Sequence, residues 1–195
     1  MSALTPSQTV GPWFAYGLTP EGKYDWSDLA TGNLITPDVV GDRIRIEGIV
    51  RDGDGAPMPD AMMEIWQADG QGRLPGQSNG AAPNTSFKGF GRCPTDARGV
   101  FWFETVKPGA VPAPDGKPQA PHILIAVFAR GLLTHLYTRL YFSDEPANAS
   151  DPILKLVPAD RRETLVAKKE TQAGKTLYRF DIRLQGEGET VFFDV

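Results

Sequence analysis

Hydrophobic and polar residues alternate over several short stretches of the chain. Within residues 43–50 the even-numbered positions are apolar or small, and the odd-numbered positions up to Glu47 are charged. The stretch Thr176–Gln185 alternates most clearly, since positions 178, 180, 182 and 184 are Tyr, Phe, Ile and Leu. Side chains of a strand point alternately to its two faces, so this period of two predicts strands with one solvated face.

Five further stretches predict strands: Ala61–Ala68, Gly99–Val106, His122–Ala129, Leu136–Phe142 and Val191–Phe193. The stretch His122–Ala129 is almost wholly apolar, which predicts burial on both faces. Asp52-Gly-Asp-Gly55 and Gly89-Phe-Gly91 are predicted to be turns. A helical pattern is visible in Pro158–Ala167. Six or seven short strands joined by turns and long loops predict an all-β fold, a single antiparallel β-sandwich domain.

The first 40 residues form a different kind of segment. They are rich in Gly, Pro and aromatic residues and show no clear period. Because so much aromatic surface is unusual for a disordered tail, we expect residues 1–40 to be an extended N-terminal arm. The arm would pack on this domain or on a partner chain, and residues 41–195 would form the sandwich.

The overall charge and composition exclude several classes of function. The formal net charge is −4 and no basic run occurs, which argues against a nucleic-acid partner. The longest apolar stretch, Ile123–Ala129, is far shorter than the roughly 20 residues that span a bilayer. Cys93 is the sole cysteine, and the first residues lack the charged and apolar regions of a secretory signal. These features predict a soluble cytoplasmic protein.

Catalytic chemistry is not visible from residue spacing alone. The chain contains two histidines, His122 and His135, and neither has another obvious metal ligand nearby in the sequence. Metal sites need three or four ligands, so a hydrogen-bonded structural role is the simpler interpretation of each histidine. No Gly-x-Ser-x-Gly motif is present to indicate a nucleophilic serine.

Several motifs, taken in order, resemble those of the intradiol ring-cleavage dioxygenases. The matching segments are Ile46-x-Gly48-x-Val50, Glu64-Ile-Trp66-Gln-Ala68-Asp69, Gly89-Phe-Gly91-Arg92, Lys107-Pro-Gly109, Pro121-His-Ile123 and Tyr178-Arg-Phe180-Asp181-Ile182. The resemblance covers roughly residues 40–190. It implies the family's prealbumin-like β-sandwich, which agrees with the strand pattern.

The resemblance fails at the metal ligands. Enzymes of this family hold Fe(III) with two tyrosines and two histidines, and they insert both atoms of O₂ into a catechol ring. At the four matching positions this chain has Leu74, Val111, His122 and Leu124, which we call the vestigial ligand positions. Gln119 stands near the place of an arginine in catalytic chains. One imidazole among aliphatic side chains cannot hold Fe(III), so the resemblance implies a chain that binds no metal and has no catalytic residue of its own.

Within the family the chain resembles the iron-free alpha chain of two-chain enzymes that cleave protocatechuate. The segments that carry this likeness include Thr5-Pro-Ser-Gln-Thr9-Val-Gly11-Pro12 and Phe128-Ala-Arg130-Gly131. The resemblance implies an iron-bearing beta chain as partner, a higher oligomer of alpha–beta pairs, and Fe(III) held by the beta chain. The product would be 3-carboxy-cis,cis-muconate, in the beta-ketoadipate pathway of aromatic catabolism.

The resemblance also implies four residues that line the partner's pocket. Thr9, Gly11, Pro12 and Arg130 would face protocatechuate, with Arg130 placed to attract its carboxylate. From the residues alone, a plain turn at Gly11-Pro12 and a solvated strand end at Arg130 are the simpler interpretations. Two other functions stay open: a self-sufficient dioxygenase, which the lost ligands oppose, and a prealbumin-like binding or structural β-sandwich without an enzymatic partner.

Overall fold

The computed structural model describes residues 17–19, 30–76, 86–113 and 116–194. Its strands are β1 (Arg43–Arg51), β2 (Met62–Trp66), β3 (Phe90–Pro94), β4 (Val100–Val106), β5 (Val111–Pro112), β6 (Pro118–Gln119), β7 (His122–Phe128), β8 (Leu136–Phe142), β9 (Val166–Gln172), β10 (Lys175–Arg179) and β11 (Ile182–Arg183). Short 3₁₀ helices span Pro146–Ala149, Leu154–Leu156 and Arg162–Leu165. The all-β class predicted from the alternation is confirmed.

Nine of these strands form one sheet in the order β11-β1-β10-β9-β8-β7-β2-β3, with β4 pairing on β1. The sheet has two halves that meet in β9, because its first residues pair with β8 and residues 168–172 pair with β10. The predicted antiparallel arrangement is found only in part: β1 pairs in parallel with β10 and β11, and β8 pairs in parallel with β9. Strand alternation predicts faces, but it carries no information about which strands become neighbours.

One cluster of buried side chains takes members from both halves of the sheet. Its largest fully buried side chains include Phe101, Phe103, Ile46, Ile65 and Ile123. A smaller cluster lies beside it and consists of Ala120, Tyr141, Leu154, Val157 and Leu165. Burying each large side chain stabilises the fold by about 1.5–3 kcal/mol, so the two clusters hold the strands that frame the site described below.

Three local expectations need correction. Strand β7 is buried on one face only: Ile123 and Ile125 are buried, whereas Leu124 between them is 38% exposed. The predicted turn at Gly89 is followed directly by strand β3, which includes Phe90 and Gly91. The helical pattern of Pro158–Ala167 corresponds to the 3₁₀ helix Arg162–Leu165, after which β9 begins.

The C-terminal alternating stretch is divided into two strands rather than one. Between β10 and β11 the backbone N–H of Phe180 donates to Glu47 O, and the Asp181 carboxylate accepts from Ile49 N. This interruption lets both strands follow β1. The predicted strand at Val191–Phe193 is reduced to one bridge, between Phe193 and Tyr137.

The described part of the predicted arm packs on this chain's own domain. Leu34 is buried in the main cluster, and its backbone N–H donates to Glu104 O at 2.8 Å. The Leu18 carbonyl accepts a hydrogen bond from the Arg92 guanidinium at 3.2 Å. The contact of the arm with a partner chain stays a prediction. No helix in the described part of the chain has the length and apolar character needed to cross a membrane.

Candidate functional site

The vestigial ligand positions come from three parts of the chain. The turn that leads to Leu74 packs on Gly109 and Ala110, since a Cβ on Gly72 would lie 2.0 Å from Ala110 O. A Cβ on Gly109 would likewise lie 2.5 Å from Gly72 N. Only glycine permits this close backbone approach, which places the turn beside the residue that precedes Val111.

The carboxylate of Asp69 holds the same turn in shape. Its Oδ1 accepts backbone hydrogen bonds from Gln71 and Arg73, and its Oδ2 lies 2.6 Å from the Arg73 guanidinium. Asp69 is 3% exposed, so these bonds satisfy a charge that would otherwise be costly to bury.

The other vestigial ligand positions lie on short neighbouring strands. Val111 on β5 pairs with Gln119 on β6, and β7 begins three residues later at His122. His122 and Leu124 are two positions apart on β7, so their side chains share its outer face. The structure thus places the turn before Leu74 beside the residues that precede Val111, and it places His122 and Leu124 on one face of β7.

His122 is held as a neutral imidazole. Its Nδ1 lies 2.8 Å from Ala120 O, which fits a ring N–H donating to that carbonyl. Burial and, second, the positive charge of Arg139 lower the pKa of His122 below its usual value. Ala120 is itself fixed, because its backbone N–H donates to the buried Asp151 carboxylate at 2.8 Å.

Arg139 on β8 completes the site, and sequence reasoning missed it. It lies directly opposite Leu124 in the β7–β8 ladder. Its guanidinium donates to Gln119 Oε1 at 2.8 Å and lies 3.5 Å from the Tyr141 hydroxyl. Alternation along Leu136–Phe142 could have indicated an outward arginine there, but not its contact with β6.

Behind Arg139, the Tyr141 hydroxyl donates to Asp151 Oδ1 at 3.0 Å. Burial is the main cause that raises the pKa of Tyr141 well above its usual value, so this phenol stays protonated at neutral pH. The protonated hydroxyl is a hydrogen-bond donor to Asp151 rather than an oxygen anion that could bind a metal.

The residues at this site do not fit Fe(III). Fe(III) is a hard ion that prefers oxygen donors, and the vestigial ligand positions offer three aliphatic side chains and one imidazole. Among residues 17–19, 30–76, 86–113 and 116–194, no group of three or more His, Cys, Asp or Glu could hold a metal ion.

Of the four residues expected to line a partner's pocket, Arg130 alone falls in the described part of the chain. Thr9, Gly11 and Pro12 lie outside the described residues. The Arg130 side chain is 65% exposed, and its Nε lies 3.3 Å from Asp60 Oδ2. It follows the end of β7 that is opposite to His122, so the length of β7, roughly 20 Å, separates Arg130 from the vestigial ligand positions. Arg130 thus lies beyond the other end of β7 from His122.

The outer face of β2, β3, β7 and β8 exposes large apolar side chains. Trp66, Leu124 and Tyr137 are 40%, 38% and 38% exposed. His135 stacks on Phe128 with ring centroids 5.1 Å apart. An apolar surface of this kind is typical of a protein–protein contact, and it borders the vestigial ligand positions at Leu124.

Comparison with known proteins gives relatives that match almost the whole chain. A family model described as Dioxygenase matches residues 20–186. The protocatechuate 3,4-dioxygenase alpha chain of Burkholderia cepacia is 52% identical, over 98% of this chain and 97% of the relative. The alpha chain of Pseudomonas putida is 48% identical, over 97% and 96%. The beta chain of the Burkholderia cepacia enzyme is 35% identical, over 90% and 77%.

Solved structures with the same fold include ring-cleaving enzymes. Hydroxyquinol 1,2-dioxygenase from Pseudomonas putida DLL-E4 matches 93% of this chain and 67% of its own, with a TM-score of 0.64 at 20% identity. The dioxygenase domain of a carbohydrate-binding fusion protein from Streptomyces sp. SirexAA-E matches 93% and 99%, with a TM-score of 0.61 at 24% identity. At these identities the likeness concerns the fold.

Proposed function

The chain belongs to the intradiol dioxygenase family, and on this premise we propose that it is the iron-free alpha subunit of a protocatechuate 3,4-dioxygenase. A homologous beta chain would hold Fe(III) and carry out the reaction of protocatechuate with O₂ to 3-carboxy-cis,cis-muconate. The assembled enzyme would serve aromatic catabolism through the beta-ketoadipate pathway, in the cytoplasm. In this proposal the two halves of the sheet form the two layers of a β-sandwich.

The observation that carries the proposal is the chemistry of the vestigial ligand positions. Of the four positions, Leu74, Val111 and Leu124 lack any atom that could bind Fe(III). The close packing of Gly72 and Gly109 supports this proposal, because it fixes the loops that carry two of these positions. A chain that has these loops but lacks the ligands is expected if it pairs with an active homologue of similar shape.

Two surfaces of the chain suit a role beside such a partner. The apolar outer face around Trp66 and Tyr137 would be covered in the pair. Arg130, with Thr9, Gly11 and Pro12 of the arm, would form part of the wall of the beta chain's pocket. The Arg130 side chain is largely exposed. A guanidinium can bind a carboxylate through two parallel hydrogen bonds, and protocatechuate carries one carboxylate.

Co-purification tests the proposal directly. This chain, with an affinity tag, is produced together with the untagged beta chain from the same organism. We expect the two chains to elute together in about equal amounts, with about one iron per pair. Oxygen uptake with protocatechuate should require the pair, and each chain prepared separately serves as the control.

Two results would overturn the proposal. If the tagged chain elutes without the beta chain, a binding or structural β-sandwich without an enzymatic partner becomes the better account. If the chain by itself carries iron and consumes oxygen with protocatechuate, it is a self-sufficient dioxygenase.

A further inference from the structure

We propose that Arg139 is a fixed cation that keeps Fe(III) and other multivalent metal ions out of this chain's vestigial site. The loss of ligands would then be only one of two barriers to metal binding. This inference rests on the proposed function, in which the iron of the enzyme belongs to the beta chain alone.

Arg139 is adjacent to three of the four vestigial ligand positions. It is the cross-strand partner of Leu124, and its guanidinium donates to Gln119, which is the cross-strand partner of Val111. Its charge also acts on the imidazole of His122. The guanidinium therefore lies among the strands that carry Val111, His122 and Leu124.

The positive charge of Arg139 is offset only in part by the nearest carboxylate. No ion pair in the described part of the chain involves Arg139. The nearest candidate, Asp151, accepts hydrogen bonds from Tyr141, from Ala120 N and from the backbone of Ile153 and Leu154. The negative charge of Asp151 offsets that of Arg139 only in part, because at the His122 imidazole the effect of Arg139 is the larger of the two.

The position of Arg139 is fixed as well as its charge. Gln119 Oε1 accepts its hydrogen bond at 2.8 Å, and the Phe193 ring centroid lies 6.0 Å from the guanidinium carbon. Arg139 is partly buried, so solvent screens it less than a surface residue. A histidine or lysine can lose its proton when a metal approaches, whereas a guanidinium cannot do so in a protein. Repulsion between Arg139 and a metal ion therefore persists at every working pH.

The main experiment restores the ligands in the assembled alpha–beta complex. One variant carries Leu74→Tyr, Val111→Tyr and Leu124→His, and a second variant adds Arg139→Gln, which keeps hydrogen-bond donors but removes the charge. Both are loaded with Fe(III), and iron is measured by elemental analysis. We expect about one iron per pair in the first variant and about two in the second. Adding Arg98→Gln instead removes an exposed positive charge elsewhere and should leave the iron content unchanged.

A second experiment restores one ligand only, so the inference can still be tested if the larger variants fail to assemble. Leu124→His creates two histidines on the outer face of β7, a pair able to chelate Cu(II). Cu(II) affinity is measured by titration in complexes with Leu124→His, Arg139→Gln, both changes, or neither. We expect Cu(II) to bind at least tenfold more tightly to the double variant than to the Leu124→His variant. This gain should exceed any gain that Arg139→Gln alone gives over the unmodified complex.

Equal metal binding with and without Arg139, whether both sites fill or both stay empty, would overturn the inference. Failure of the proposed function is distinguishable, because it would be seen in the unmodified proteins. The unmodified chain would then not associate with a beta chain, or would itself carry iron.

Discussion

The Tyr178 hydroxyl donates a hydrogen bond shared between the two carboxylate oxygens of Asp144, at 2.9 and 3.1 Å. The same carboxylate lies 3.2 Å from Lys107 Nζ and 2.8 Å from Lys169 Nζ. Asp144, which closely follows β8, thus joins the end of that strand to β9, β10 and the end of β4. Burial by itself would raise the pKa of Asp144, but hydrogen bonds from Lys169, Tyr178 and Lys107 outweigh it and hold the pKa at about 2.

This network predicts a pH-dependent contribution to stability. The pKa of Asp144 is lower in the folded chain than in the unfolded chain, so its contribution is fully present above about pH 4 and is lost as the pH falls towards 2. Asp144→Asn should lower stability at neutral pH by about 1–2 kcal/mol after allowance for solvent screening. Thermal unfolding of the assembled complex at pH values from 7 to 3 measures this loss of stability, which should become smaller as the pH falls.

Asp54→Asn is the matched control, because Asp54 is exposed and no side-chain hydrogen bond of its carboxylate is present in the described part of the chain. It removes the same charge and should change stability little at any pH. A deficit of Asp144→Asn that stays constant across the pH range would show that the carboxylate acts through shape rather than charge.

Gly48 should be the least replaceable residue of β1. A Cβ at this position would lie 1.8 Å from Phe180 O, because the chain between β10 and β11 crosses directly over it. Gly48→Ala would push two backbones apart, and we expect a loss of more than about 3 kcal/mol or failure to fold. Gly76→Ala is the comparison, since its φ of +79° costs about 1 kcal/mol but no atom lies within 4 Å. Similar thermal midpoints for the two variants would contradict this account.

The sequence predicted those parts of the fold that depend on local pattern. Strands β1, β4 and β8 alternate because one face of each packs in the core, and their bounds agree with the prediction within one residue. Strand β3 was missed because Gly91 and Pro94 are typical of turns. A proline is tolerated there because β3 is an edge strand that pairs with β2 alone.

Strand β9 was missed for another reason. Five of its seven residues are exposed, so no apolar alternation marks it. In the candidate site, the sequence alone identified the residues at Leu74, Val111 and Leu124. It did not identify the role of Arg139, because the contact of Arg139 with Gln119 joins strands twenty residues apart.

The separately prepared chain should contain no stoichiometric iron and no tyrosinate-to-iron colour. The reason is the absence of oxygen donors at Leu74, Val111 and Leu124. Elemental analysis and a visible spectrum of the soluble fraction test this, with the alpha–beta complex as the positive control. A red-brown, iron-loaded, homogeneous preparation would contradict the assignment of iron to the partner.

The separately prepared chain should also self-associate or precipitate. Trp66, Leu124 and Tyr137 expose apolar surface on the outer face of the sheet, and Leu133 is 70% exposed. Without a partner to cover it, this surface and the aromatic arm favour aggregation. Light scattering over a range of concentrations measures it, with the complex as reference. A stable monomer at high concentration would argue against an obligate interface.

The role of Arg130 in the assembled enzyme can be tested by comparing two substrates. The side chain is 65% exposed, and within the described residues it forms one ion pair, with Asp60, which as a surface pair is worth at most about 1 kcal/mol. It is therefore available to bind the carboxylate of protocatechuate in the partner's pocket. A charge-assisted hydrogen bond is worth about 1.5–3 kcal/mol, so Arg130→Ala should lower kcat/KM roughly ten- to hundredfold.

Catechol lacks the carboxylate, so its kcat/KM should hardly respond to Arg130→Ala, while iron content and assembly stay unchanged. Thr9→Ala should cost less with protocatechuate, because a neutral hydroxyl contributes about 1 kcal/mol. Asp60→Asn frees the guanidinium without removing it and should leave the reaction close to normal, whereas Arg98→Ala controls for loss of a distant charge. Equal losses with both substrates would assign Arg130 a structural role. No loss with either would place its side chain outside the pocket, because removing a charge-assisted hydrogen bond weakens the recognition of a carboxylate.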